Sequence, residues 1–157
     1  MILRRATASD IPHLIRLLYQ VHRVHSDGRP DIFRKGNKKY TEEELFEILQ
    51  DANRPIYVAA NDETNFVCGY AFCVLEEFKG DPSLMDRKML YIDDLCVDEQ
   101  MRGKHIGTLL YEHVLAEAKR FGCYHVTLNV WCLNESAMRF YEKCGLSPLK
   151  ITMEQIL

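Results

Sequence analysis

Val97-Asp98-Glu99-Gln100-Met101-Arg102-Gly103-Lys104-His105-Ile106-Gly107-Thr108 follows an apolar run of β character, Met89-Leu90-Tyr91-Ile92-Asp93-Asp94-Leu95-Cys96-Val97, and leads into a long helical pattern. Leu109, Leu110, Tyr111, Val114, Leu115 and Ala118 carry that pattern, and Gly122 stops it. A strand therefore turns into a helix through a segment holding Gly103, Gly107, Arg102 and Lys104. The first N–H groups of a helix have no intrahelical partner, and the helix dipole is positive there. Glycine lets the backbone approach a ligand closely, so successive N–H groups can wrap a phosphate oxygen. The residue pattern reads as a pyrophosphate cradle, although a glycine turn that only caps a helix would look similar.

The spacing is neither GxxxxGK[ST] nor GxGxxG with a following acid. Taken as Gln100-x-x-Gly103-x-His105-x-Gly107, the loop resembles the acetyl-CoA loop of the GNAT acetyltransferase superfamily, usually Gln/Arg-x-x-Gly-x-Gly/Ala. Gln100 and Gly103 match it; His105 departs, since that slot is normally Gly or Ala. The resemblance implies that Gln100, Arg102, Gly103, Lys104, His105, Ile106, Gly107 and Thr108 hold acetyl-CoA.

The 157 residues suit one domain, 1–157, with a real core. Apolar residues make up 47% and charged residues 27%, ordinary for a soluble globular chain. A net charge of −3 argues against broad attraction to nucleic acid. No apolar run approaches a membrane span and no leader pattern is present, so no membrane partner is expected. The cysteines at 68, 73, 96, 123, 132 and 144 form no CxxC pair and read as buried thiols of a reducing cytoplasm. His22 and His25 lack a companion ligand pair, and no metal is expected.

Along the chain, Met1 to Ala6 can form a strand, and a helix with Leu14, Ile15, Leu17, Leu18 and Val21 follows the capping residues Thr7 to Asp10. His22 to Tyr40 reads as an irregular or partly helical loop, and Thr41 to Glu44 as a capping box opening a second helix. Strands are expected at Ile56 to Ala60, Phe66 to Phe78, Met89 to Val97 and Tyr124 to Val130. A short helix from Asn134 to Lys143 and one or two strands within Leu146 to Leu157 complete the order. The fold class is α/β, a mixed sheet covered on both faces. It is the order implied by the GNAT resemblance, a central, mostly antiparallel, splayed sheet flanked by helices. In that fold the cofactor lies where the fourth strand and the strand after the loop helix part.

The resemblance also places a bulge near Leu95, Cys96 and Val97, freeing backbone groups to pair with the pantetheine arm. Just upstream, strict alternation would set Asp93 and Asp94 on opposite faces. An amine must lose a proton before attacking a thioester, and a carboxylate can accept it. Asp93-Asp94-Leu95 resembles the Glu-Asp of spermidine/spermine-type diamine acetyltransferases, so Asp93 is favoured as base or amine anchor with Asp94 as its partner. Asn134-Glu135-Ser136-Ala137-Met138-Arg139-Phe140-Tyr141-Glu142-Lys143-Cys144-Gly145-Leu146 fills every position of the superfamily's Asn-x-x-Ala-x-x-Phe-Tyr-x-x-x-Gly-Phe/Leu segment. By that resemblance Asn134 holds the pantetheine and Tyr141 protonates the leaving thiolate.

These readings imply an acetyl-CoA-dependent N-acetyltransferase in which a primary amine attacks directly within a ternary complex. Asp27, Asp31 and Asp93 point to a small cationic amine as acceptor. A protein N-terminus or lysine is the alternative, and a non-catalytic CoA-binding regulatory module is the rival from another class. A relay through Cys96 is a further, weaker route. The resemblance allows a homodimer.

Overall fold

The computed structural model describes residues 1–157. Five strands, β1 (Ile2–Arg5), β2 (Ile56–Ala60), β3 (Val67–Phe78), β4 (Arg87–Val97) and β5 (His125–Leu128), lie side by side in sequence order. The first three pairings are antiparallel and β4–β5 is parallel. A parallel pair needs a crossover, and the helix α3 (Ile106–Arg120) supplies it. The helices α1 (Ile11–Gly28) and α2 (Glu42–Gln50) precede β2, and α4 (Glu135–Lys143) follows β5.

The two faces of the sheet bury different sets of side chains. Ile56, Val58 and Ala60 of β2 pack with Leu14, Leu17 and Leu18 of α1 and with Leu45 and Ile48 of α2. Tyr57 and Ala59 point the other way, toward Tyr111, Val114 and Leu110 of α3. Capping follows the residues: Thr41 accepts the Glu44 N–H while the Glu44 side chain returns to the Thr41 N–H, the reciprocal box expected from the sequence. Pro12 sits in the first turn of α1, where its missing N–H costs nothing.

α1 runs on to Gly28, so the polar His22–Gly28 stretch is the end of a helix and the loop begins at Arg29. Buried Ser26 and half-buried Val24 keep this turn against the protein. The strands expected within Leu146 to Leu157 do not form. Leu149, Ile151 and Met153 alternate with polar residues, the pattern that suggested a strand, but they are exposed and pair with no edge. Pro148 has no N–H to offer a ladder, and the segment instead runs to the end of α1, where Glu154 accepts from Arg29 at 2.6 Å. Of the cysteines, three are buried, but Cys132 is exposed because it lies in the turn after β5 rather than in a strand.

Candidate active site

The site is set by one extra residue in β4. Phe72 of β3 faces Asp94 and the next residue, Cys73, faces Ile92, so Asp93 has no partner across the ladder. Burial shows the same insertion. Leu90 and Ile92 sit on the α3 face, whereas Cys96, also even-numbered, sits among the α1 and α2 side chains. Alternation from Tyr70 to Cys73 in β3 is unbroken, which fixes the bulge in β4. The bulge expected at Leu95–Val97 is therefore at Asp93, and Leu95, Cys96 and Val97 pair regularly with Ala71, Tyr70 and Gly69.

The insertion also overturns the expectation that the two carboxylates take opposite faces. Both reach the α1–α2 side. Asp93 accepts from Tyr40 Oη at 2.6 Å and from Lys39 Nζ at 2.7 Å, and Tyr40 stacks on Phe72 with centroids 5.5 Å apart. Asp94 accepts from Tyr70 Oη at 2.8 Å. Asp94 keeps some contact with solvent yet is surrounded by protein, and burial raises its carboxyl to about 6. The Tyr70 hydrogen bond and the Lys39 charge oppose that rise, while the Asp93 charge adds to it.

Beyond Ile92 the sheet opens. β5 pairs with β4 only from Met89 to Ile92, so Asp93–Val97 has no strand neighbour on that side. The N-terminus of α4 follows β5 by a short turn, with Asn134 as its cap: Asn134 Oδ1 accepts the Ala137 N–H at 3.1 Å, which leaves its side-chain N–H₂ free to donate. Tyr141, in the last turn of α4, stands near enough to Asp94 for that charge to matter. Burial first, then Asp94, raises its hydroxyl well above the usual phenol range.

At the far end of β4 the loop is tied to α1. Asp98 is buried, caps a 3-10 turn at Glu99–Met101 by accepting the Gln100 N–H at 3.0 Å, and pairs with Arg16. The Glu99 N–H donates to Gln20 Oε1 at 3.1 Å. Burial raises the Asp98 carboxyl, but the Arg16 hydrogen bond and the Gln100 N–H outweigh it and hold the group below the usual carboxylate range. Arg16 and Asp98 are not singled out by the sequence: Arg16 lies with Gln20 and Arg23 on the polar face of α1, and all three meet the segment Asp98–Glu99.

Arg102, Gly103, Lys104 and His105 are exposed around the start of α3. Gly103 adopts φ +77° with open space where a Cβ would stand. His105 adopts φ +60°, a left-handed conformation that explains why glycine suits this slot. Its ring is exposed, so the imidazole leaves the loop open. Such strain costs about 1–2 kcal/mol in a non-glycine residue, and glycine's extra unfolded-state entropy returns part of it. His105→Gly is expected to raise stability by about 0.5–1 kcal/mol; a lower Tm in a thermal melt would contradict this. Gly107 has another reason to be glycine. A Cβ there would lie 3.3 Å from two Phe140 ring atoms, so it seats α4 against α3. Ile106 is buried beneath the loop and Thr108 is half-buried in the first turn.

The expected substrate carboxylates are not together. Asp31 is held by Arg29 at 2.8 Å, well away in sequence and partners from Asp93, and Asp27 is exposed on the last turn of α1. His22 Nε2 lies 2.6 Å from the Arg34 carbonyl, and His25 stacks on Phe33 at 5.1 Å.

A sheet that parts beside a bulged fourth strand, with a glycine loop opening the next helix, defines the acyl-CoA N-acyltransferase architecture. The chain belongs to the Acetyltransferase (GNAT) family, whose profile matches residues 18–146. The fold is similar to that of a tetramutant of the BH1408 protein from Bacillus halodurans, with 35% identity and a TM-score of 0.95 over 100% of both chains. It is also similar to glucosamine-6-phosphate N-acetyltransferase from Arabidopsis thaliana, at 25% identity and a TM-score of 0.71 over 99% of this chain and 97% of that one. In sequence, a glucosamine 6-phosphate N-acetyltransferase of Arabidopsis thaliana is 40% identical over 65 residues, 41% of this chain. That match spans 42% of the relative, so the chain covers less than half the length of this curated relative.

Proposed function

We propose that the protein transfers an acetyl group from acetyl-CoA to a primary amine, within a ternary complex and without a covalent enzyme intermediate. The observation that carries this reading is the Asp93 bulge, which sets two carboxylates on one face at the point where β4 and β5 separate. The open loop around Gly103, the exposed Arg102 and Lys104 and the bare N-terminus of α3 suit a pyrophosphate. Gln100, His105, Ile106, Gly107 and Thr108 complete that cradle. Acetyl-CoA supplies the activated thioester.

The chain's residues do the rest. Asp94 accepts the proton of the incoming ammonium, directly or through a water, because burial raises its carboxyl to about 6 and so makes it a stronger base than a free carboxylate. Asp93, fixed by Tyr40 and Lys39, anchors the acceptor, one of the two roles the sequence reading gave it, and the base role passes to Asp94. The unpaired edge of Leu95, Cys96 and Val97 offers backbone groups to orient the acyl donor, and the Asn134 amide holds its arm. Tyr141 returns a proton to the leaving thiolate; its high pKa keeps it protonated until then. Burial pushes the Cys96 thiol up to about 12, which argues against a thiolate relay.

For the acceptor, a small cationic amine draws support from Asp93 and Asp94 on one face, the amine displacing Lys39 from Asp93; Asp31 is taken up by Arg29 and adds nothing to this. A phosphorylated amino sugar is the second reading, favoured by the Arabidopsis relatives together with the cations Arg34, Lys35, Lys38 and Lys39 of the loop before α2. The unpaired thiols fit a reducing, cytoplasmic setting.

Saturating acetyl-CoA is expected to raise the Tm, by about 2.7 kcal/mol of added stability at a hundred times Kd. Thiol release should then appear with one class among polyamines, amino sugars with and without phosphate, and N-terminal peptides. A flat melting curve sinks the assignment. A shifted melt with no turnover on any amine identifies a CoA-binding regulatory module instead.

A further inference from the structure

Lys39 places a primary ammonium where the acceptor's own nitrogen belongs. Its Nζ lies 2.7 Å from Asp93 Oδ1, and Asp93 is the bulge residue at the opening between β4 and β5. The lysine comes from the loop between α1 and α2, and its neighbour Tyr40 is pinned twice, by its hydroxyl on Asp93 and by its ring on Phe72. The backbone that carries Lys39 is therefore held at the site, while the lysine side chain itself is 43% exposed. Other lysines lack this placement. Lys35 is exposed beside the Tyr19 and His22 side chains, and Lys38 turns toward the Tyr19 ring, 5.1 Å from its centroid.

We propose that Lys39 is an acetyl acceptor within its own chain, modified once when acetyl-CoA is bound and no external amine is present; this rests on the transferase reading above. The Lys39 ammonium gives one proton to the neighbouring carboxylates and its nitrogen forms a bond to the acetyl carbonyl carbon. The carbon–sulfur bond breaks, and the sulfur leaves as the thiol of CoA. The balance is one lysine ammonium and one acetyl-CoA giving one acetyl-lysine, one CoA thiol and one proton. Two consequences follow from the charge. Acetylated Lys39 can no longer pair with Asp93, so the carboxylate becomes available to a cationic acceptor. Until then, Lys39 competes with that acceptor for the same oxygen.

The test is peptide mass spectrometry after the full chain is incubated with acetyl-CoA alone. Acetyl occupancy at Lys39 is expected to outrun that at Lys35 and Lys79 by tenfold or more, on the order of what a positioned intramolecular amine gains over a free one. The rate should not change with protein concentration, and the CoA thiol released should stop at one equivalent per chain. Lys39→Arg keeps the cation on Asp93 and should remove that modification while the acetyl-CoA-induced Tm rise remains. Equal occupancy at the three lysines, or a rate that climbs with protein concentration, overturns the proposal. So does an unmodified Lys39 in protein whose Tm rises with acetyl-CoA and which turns over an added amine. If the Tm does not rise, the transferase reading itself has failed and this inference goes with it.

Discussion

Asp94→Asn should slow acetyl transfer by about 10²- to 10⁴-fold, the usual worth of a positioned general base, and at pH 7 should also make the protein more stable. The two effects have one cause. Burial raises the Asp94 carboxyl to about 6, above the value near 3.9 for an unfolded aspartate. Below pH about 4 both states carry the proton and burial exacts no penalty. Between pH about 4 and 6 the unfolded chain releases this proton while the folded one keeps it, so stability falls across that window and levels off above 6, where both states are ionised. At pH 7 that loss, two pKa units at about 1.4 kcal/mol each, is on the order of 3 kcal/mol. Asparagine cannot ionise and can still accept from Tyr70, so Tm should rise by about 6–12 °C in a chain of this size. The acid limb of the kcat/KM profile, centred near pH 6 in the parent, should vanish with the residual activity of the variant. A variant that keeps normal turnover, or that loses activity together with stability, would show that Asp94 is a structural carboxylate and not the base.

Arg16→Ala acts at the opposite end of β4 and should be the most destabilising single change near the loop. Asp98 is 3% exposed and its charge is balanced by Arg16, whose other nitrogen donates to the Val67 carbonyl at 3.0 Å. Removing the arginine strands a buried carboxylate, which typically costs about 3–5 kcal/mol. Arg16 is partly open to solvent, so the lower end of that range applies, and Tm should drop by about 6–12 °C. Because Asp98 caps the turn that launches Gln100 and Gly103, acetyl-CoA should also bind more weakly. Asp98→Asn in the same chain removes the stranded charge and should recover part of the loss. A change in Tm under about 2 °C for Arg16→Ala would mean that water already serves the carboxylate.

The features that were legible in the sequence are those that local chemistry dictates. Gly103 with Arg102 and Lys104, at the junction of a strand and a helix, announces its loop through residue type alone. The same holds for the capping box at Thr41 and the cap at Asn134. The bulge was misplaced because Met89–Val97 is apolar on both sides of the acid pair, so no break in alternation is visible until burial is known. Arg16 and Asp98 are 82 positions apart, and Lys39 and Asp93 are 54 apart; such pairings are products of topology. The C-terminal strands failed for the converse reason. Alternation in Leu149–Met153 states what a strand requires of its side chains, but a strand also needs an edge, and none is engaged there.

The unpaired residue in β4 makes chain length, as distinct from side-chain identity, part of the chemistry. Asp93 works as a phase shift: every residue from Asp94 to Val97 owes its facing to the one position inserted before it. Substitutions at 93 or 94 can therefore retune charge and reach while the rest of the strand stays in place. Losing a single position would instead turn Cys96 away from α1 and drive Leu95 and Val97 off the α3 core. Deleting one position here should therefore cost more than any single exchange at 93 or 94, because it moves four side chains to the wrong face at once.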